Sequence, residues 1–352
     1  MSANASFDGL RMRTLLYGSG QMPFSLFLIL SLPKDARSLC RAALRALVLF
    51  IGTLLSIGCA AAAPPEVVVS IKPIHSLVAA VMEGVARPAL IVAGGASPHL
   101  YTLRPSDAEH LASARIVFWI GPIFESFLAK PLAALAGGAE IVELDRVPAI
   151  TLLPAREGGP WEPHADEPAQ HRANQHDAAD QEMDGHLWLD PANAKAIAAI
   201  AATRLAAIDP ANAARYRVNA AGLAGRLDAL DAALDERLRP LRERPFVVFH
   251  DAYQYLTHRY GLAAVGSVTV SPERAPSARR IAAIHAKVAA LKAHCVFREP
   301  QFPPRLVDTV MAGTAARSGV LDPEGSDLAA GPDLYVALMS GLADSLANCL
   351  AR

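Results

Sequence analysis

Residues 211–238 read ANAARYRVNAAGLAGRLDALDAALDERL, a stretch rich in alanine and leucine that lies between Pro210 and Pro240. From Leu223 to Leu234 the leucines recur every three or four residues, which is the spacing of one face of an α-helix. The pattern therefore predicts one long helix. A second helical pattern stands immediately before it, and strands alternate with helices on both sides of the pair, so this helix is expected to connect two lobes.

On the N-terminal side, four short β-branched or apolar runs predict strands, and each of the first three is followed by a predicted helix. The strands are expected at 66–71, 88–92, 116–120 and 139–144, and the helices at 76–82, from 106 onward, and at 123–135. Such alternation is typical of a parallel sheet that is covered by helices on both faces.

The alternation resumes after the long helix. Strands are predicted at 245–249, 263–270, 295–297 and 320–321, and helices at 252–260, 277–293, 304–317 and 334–350. We therefore predict an α/β protein with an N-terminal lobe over 64–209, a connecting helical region over 210–243 and a C-terminal lobe over 244–352.

Composition excludes some classes of function. The chain has 352 residues, a formal net charge of -1 and 6% aromatic residues. Nucleic-acid binding requires a basic face, which a chain of nearly zero net charge does not suggest. The scarcity of aromatic side chains also argues against a platform on which bases or sugars stack.

The N-terminus has the pattern of a secretory signal peptide. Basic residues precede an apolar run over 46–57, and small residues follow at 60–63. We expect cleavage near Ala62 or Ala63, so that 1–63 is removed and the mature protein is exported with no stable membrane insertion. The alternatives are a transmembrane anchor, for which the run is too short, and lipidation at Cys59, which we rank second.

Two cysteines remain in the mature part, Cys295 and Cys349. In an exported protein such a pair favours a disulfide, which here would attach the last helix to a strand. The alternative is two free buried thiols.

A polar loop over 155–185 interrupts the regular pattern. It carries His164, His171 and His176 among acidic residues, and almost no aliphatic periodicity. A long loop of this kind is usually functional or disordered. We interpret it as a surface insertion that collects metal weakly as an auxiliary site, or as a plain acidic loop; both interpretations stay open.

The loop ends at DGHLWLDP, residues 184–191, where we predict that an apolar strand begins with His186 at the junction. Other candidate ligands follow predicted strands, and ligands of parallel sheets bind at the carboxyl ends of strands. These candidates are His99, His250, Glu299 and Asp322. Imidazole and carboxylate together suit zinc and related ions. The sequence contains neither a Cys-x-x-Cys pair nor a His-Glu-x-x-His motif, so it encodes neither a familiar zinc finger nor a familiar metallopeptidase.

Six segments resemble, in order, the zinc-binding periplasmic solute-binding proteins of ABC transporters. They are GASPHLYTLRPSD (95–107), HLWLDP (186–191), FVVFHDAY (246–253), VSPE (270–273), CVFREPQF (295–302) and GVLDP (319–323). The resemblance covers nearly the whole mature chain, and six segments in series are very specific.

The resemblance implies two Rossmann-like lobes with parallel sheets, joined by a long rigid helix, with Zn²⁺ held in the cleft between them. Carried over to this sequence, it implies His99 and His186 as ligands from the N-terminal lobe and His250 from the C-terminal lobe. Asp322 matches a position that supplies a carboxylate in related manganese and zinc binders. Some zinc members have a glutamate before the first histidine, but this chain has Pro98 there.

The resemblance also implies a function. The protein is expected to capture zinc in the periplasm as a monomer and to deliver it to the membrane permease of a zinc ABC transporter, without catalysis. It matches Cys295 and Cys349 to a disulfide of the zinc members, and Glu299 is a candidate acceptor for a ligand histidine. The alternatives are a manganese- or iron-binding homologue, a secreted zinc hydrolase and a lipid-anchored adhesin.

Overall fold

The computed structural model describes residues 64–95, 97–156, 161, 182–269 and 276–351. Several predictions made above fall outside these residues: the signal segment 1–63 with Cys59, the loop histidines His164, His171 and His176, and the segment 270–273. Among the described residues, no helix combines the length and the apolar character that a membrane span requires.

Four parallel strands form the first sheet. They are β1 (Val67–Ile71), β2 (Ala89–Val92), β3 (Ile116–Trp119) and β4 (Glu140–Glu143), in the order β2-β1-β3-β4. The central strands β1 and β3 are buried along their whole length, which explains why they read as continuous apolar runs. The helices that follow the first three strands are α1 (Lys72–Val81), α2 (Pro105–Ser113) and α3 (Ser126–Leu135).

The second sheet repeats this topology. Its strands are β5 (Phe246–Val248), β6 (Ala264–Ser267), β7 (Cys295–Arg298) and β8 (Arg317–Val320), all parallel, in the order β6-β5-β7-β8. The first three are followed by α6 (Gln254–Tyr260), α7 (Ala278–Ala290) and α8 (Arg305–Met311), and α9 (Leu334–Leu350) ends the chain. The predicted α/β fold with two lobes of parallel sheet is confirmed.

Between the two sheets, the chain forms α4 (Pro191–Ile208) and the long helix α5 (Ala213–Leu238). The buried side chains of α5 are Tyr216, the leucines of the stripe noted above and Leu238, while the opposite face is largely exposed. Burying each such leucine contributes about 1.5–3 kcal/mol. Because α5 packs against α1 and α9 as well as α6, it is the rigid element that the two sheets share.

The last helix, α9, is bonded to both lobes. The backbone N–H of Tyr335 donates to Ser76 Oγ at 2.9 Å, and the Tyr335 hydroxyl donates to the carbonyl of Trp188 at 2.7 Å. Cys295 of β7 and Cys349 of α9 form a disulfide with an S–S distance of 2.03 Å. The predicted disulfide is therefore confirmed. The last helix also contacts α1 of the N-terminal lobe. The lobe boundaries at 209 and 244 stay a prediction.

Two local predictions were wrong. The helix predicted over 304–317 is only α8, because the backbone leaves the helical conformation at Ala312 (ψ 122°) and turns at Gly313 (φ 72°), and Arg317 already pairs with Cys295 in the sheet. The strand predicted from His186 is instead a 3₁₀ turn over Leu187–Leu189. The turn is stabilised by burial of its three side chains, with the Trp188 indole donating to the carbonyl of Pro323 at 2.9 Å.

Candidate metal centre

Three histidines from distant parts of the chain meet at the carboxyl ends of the two sheets. His99 lies in the 3₁₀ turn Pro98–Leu100 after β2, His186 immediately precedes the turn Leu187–Leu189, and His250 follows β5. Each offers one ring nitrogen, and these three atoms all lie within 4.8 Å of one another. His186 Nε2 and His250 Nε2 are 3.3 Å apart. Three imidazole nitrogens at such distances can share one metal ion.

Aromatic packing holds the first histidine in place. The rings of His99 and Phe124 meet edge to face with centroids 4.6 Å apart, and Phe124 also contacts His186 and Trp188, with centroids 5.0 Å away in both cases. Gly185 leaves room for this arrangement, since a Cβ there would stand 2.8 Å from Cβ of Phe124. The rings of His99 and His186 thus pack against Phe124 on one side.

Carboxylates orient the other two histidines. His186 Nδ1 lies 2.8 Å from Asp184 Oδ1, and His250 Nδ1 lies 2.7 and 2.8 Å from the two carboxylate oxygens of Glu299. With Nδ1 donating to a carboxylate, the Nε2 lone pair is left to face the pocket. Glu299 thus stands where an acceptor for a ligand histidine was anticipated.

The electrostatic environment keeps two of the three imidazoles uncharged. Burial holds the pKa of His99 well below its usual value, and the neighbouring His186 and His250 lower it further. Burial also holds the pKa of His186 well below its usual value, with His250 as the next cause. For His250, burial is the largest cause and favours the neutral form, but Glu299, Asp251 and Asp184 together raise the pKa above its usual value. Neutral imidazole is the form that binds metal.

The segments that flank the histidine-rich loop are anchored beside this pocket. Pro154 and Met183 form an antiparallel bridge, and the Tyr255 hydroxyl, which accepts from the backbone N–H of Leu153 at 3.0 Å, also donates to the carbonyl of Asp184 at 2.8 Å. Burial raises the pKa of Asp184 to about 7. These contacts fix the backbone on which His186 is presented.

Asp322 is not part of the three-histidine group. Its carboxylate accepts backbone N–H bonds from Glu324 at 3.1 Å, Gly325 at 3.1 Å and Ser326 at 2.6 Å, and a side-chain bond from Gln301 at 2.8 Å. These bonds organise the loop after β8. The assignment of Asp322 as a metal ligand stays a prediction.

A different carboxylate borders the pocket. Glu324 lines the pocket together with the three histidines, Glu299 and Gln301. Sequence reasoning did not single out Glu324. The available signal was its place in the DPEG turn that directly follows β8, at the carboxyl end of a parallel strand.

A family model and known relatives match most of the chain. The family described as zinc-uptake complex component A, periplasmic, matches residues 67–349. The high-affinity zinc uptake system protein ZnuA of Brucella suis is 48% identical over 308 residues, covering 81% of this chain and 92% of that protein.

Solved structures share the fold. A crystal structure of ZnuA superposes with a TM-score of 0.66 at 25% identity, covering 81% of this chain and 98% of the other. The solute-binding protein FpvC of Pseudomonas aeruginosa, solved in complex with Mn²⁺, superposes with a TM-score of 0.68 at 21% identity, covering 82% and 99%. At that identity FpvC supports the fold alone.

Proposed function

The chain belongs to the family of periplasmic zinc-uptake component A proteins, and we propose that His99, His186 and His250 are the residues with which it holds its ion. It is a solute-binding protein for zinc uptake, not an enzyme, and it works with the permease of an ABC transporter. This function leaves no role for the zinc hydrolase alternative considered above.

The observation that carries the ligand assignment is the convergence of three buried or half-buried imidazoles within 4.8 Å. Two of them have a carboxylate on the nitrogen that faces away from the pocket, which is the arrangement typical of metal-binding histidines. The ligands come from both lobes, so that the ion bridges them. The assignment of Asp322 rests on the resemblance alone, and its carboxylate is bonded within its own loop.

We propose zinc as the ion that the site selects. Three imidazoles suit zinc, while manganese prefers more carboxylate oxygen. The relatives named for zinc uptake support this choice. FpvC, which shares the fold, was solved with Mn²⁺, so the fold alone does not determine the metal, and the proposal rests on the ligand set. A competition titration in which manganese displaces zinc would contradict the proposal.

We further propose that the mature protein is a periplasmic monomer without a lipid anchor and that it delivers its ion to the permease. The signal pattern before residue 64 supports export. Mass spectrometry of the exported protein tests the anchor through Cys59, and size-exclusion chromatography with light scattering tests the monomer.

The test of the ligand assignment is zinc titration against a chromophoric chelator, with His99→Ala, His186→Ala and His250→Ala. Each variant should lose affinity by at least about 100-fold, because loss of even a group that only orients a ligand costs about 10–100-fold. His258→Ala is the matched control, since His258 is exposed on α6. Unchanged affinity in the three variants would refute the assignment.

A further inference from the structure

The loop that follows β8 is clamped from the opposite lobe by one buried lysine. Lys72, at the start of α1, is 5% exposed. Its ammonium donates to the carbonyls of Gly325 at 3.1 Å, Ser326 at 2.7 Å and Leu328 at 2.9 Å. These three bonds use all three donors of the ammonium. The clamp therefore fixes the backbone of the loop but leaves no donor for a carboxylate.

The same loop is also fixed from within. The carboxylate of Asp322 accepts the backbone N–H groups of the next residues and the amide of Gln301. With its acceptor sites occupied in this way, Asp322 acts as a support for the turn. The side chain that the turn presents to the pocket is that of Glu324.

Glu324 has no partner of its own among the described residues. It is 8% exposed, and its carboxylate takes part in no hydrogen bond or ion pair there, whereas Glu299 is bonded to His250. A buried carboxylate without a donor is costly, and buried charges are normally paired or bound to metal. Lys72 is the cation whose charge acts on this carboxylate, and its ammonium already donates to three carbonyls.

We propose that Glu324 supplies a carboxylate oxygen to the bound ion and completes a set of three imidazoles and one carboxylate. The inference rests on the proposed three-histidine site. Glu324 stands at the wall of the pocket, outside the 4.8 Å group, so ligation requires a rotation about its side-chain torsions. Such a set has the four ligands that zinc takes in a closed tetrahedral site, and its negative charge offsets part of the charge of the ion.

The test compares Glu324→Gln with Asp327→Asn, which removes one negative charge from an exposed position of the same loop. Zinc affinity should fall about tenfold or more in Glu324→Gln and stay unchanged in Asp327→Asn. Glu324→Asp keeps the charge on a shorter side chain and should fall between Glu324→Gln and the unmodified protein. With Co²⁺ as the probe, the visible absorption spectrum should change in Glu324→Gln only.

Thermal unfolding separates ligation from a structural role. Without metal, Glu324→Gln should be as stable as the unmodified protein or more stable, since it removes a buried unpaired carboxylate; with zinc, it should gain less. Three outcomes would overturn the proposal: affinity equal to that of the unmodified protein, an equal loss in Asp327→Asn, or a loss of metal-free stability. If the unmodified protein did not bind zinc, or if the histidine variants bound it as tightly as the unmodified protein, the three-histidine site itself would be refuted.

Discussion

Glu299→Gln is the change that best tests whether the carboxylate on Nδ1 strengthens His250 as a metal ligand. Glu299 is 2% exposed, and both its oxygens lie within 2.8 Å of His250 Nδ1. The glutamine has nearly the same shape, but its amide oxygen is a neutral acceptor. The imidazole of His250 therefore becomes less basic, while the packing is preserved.

The expected magnitude follows from this contact. A hydrogen bond to a charged group contributes about 1.5–3 kcal/mol. Loss of a group that orients a metal ligand typically costs about 10–100-fold in affinity, which corresponds to about 1.4–2.7 kcal/mol. The two ranges overlap, so we expect zinc affinity to fall about 10–100-fold in Glu299→Gln.

The assay is competition between the protein and a chromophoric chelator for zinc at pH 7.5, with Glu243→Gln as the control on an exposed surface. Asp184→Asn provides an independent repeat of the experiment, because Asp184 contacts His186 Nδ1 at 2.8 Å. A Glu299→Gln protein that bound zinc as tightly as the unmodified chain would show that the carboxylate on His250 does not prepare the ligand, and the reasoning would be refuted.

Two further predictions concern the scaffold. Replacing Cys295 and Cys349 together by alanine removes a bridge between residues 54 positions apart. The loop-closure entropy for that length is worth about 4 kcal/mol, so urea unfolding should show a free energy of unfolding lower by about 2–4 kcal/mol. A decrease below about 1 kcal/mol would contradict the role of the bridge. Asp231 accepts from Arg259 Nε at 2.7 Å, and this bond holds the pKa of Asp231 below 3.8. A carboxyl group whose pKa is lower in the folded than in the unfolded protein stabilises the fold at pH values above its unfolded pKa. This stabilisation is lost as the pH falls through the folded-state pKa. Asp231→Asn should therefore be less stable than the unmodified protein at pH 7, and the difference in melting temperature should shrink as the pH falls through the acidic range; a difference that did not change with pH would contradict this reasoning.

The fold was accessible from the sequence because its signals are local. The leucine spacing of α5 and the apolar runs of the strands depend only on neighbouring residues and on which face is buried. The final helix was predicted at the bounds Leu334–Leu350 that the structure has. The local failures came where tertiary contacts outweigh local preference, as at His186, where burial of Leu187–Leu189 stabilises a turn in place of a strand.

The candidate site divides in the same way. The sequence by itself determined the candidates His99, His186 and His250, since each stands at a strand end or loop junction and together they match the motifs of a family. Which carboxylate lines the pocket beside them is decided by the tertiary structure alone. Asp322 directly follows a strand, as a ligand would, yet three backbone N–H groups of its own loop occupy its oxygens, and Glu324, two residues on, lines the pocket. The direction of a side chain in a turn depends on bonds such as those from Lys72, more than 250 residues away along the chain, and no local pattern encodes them.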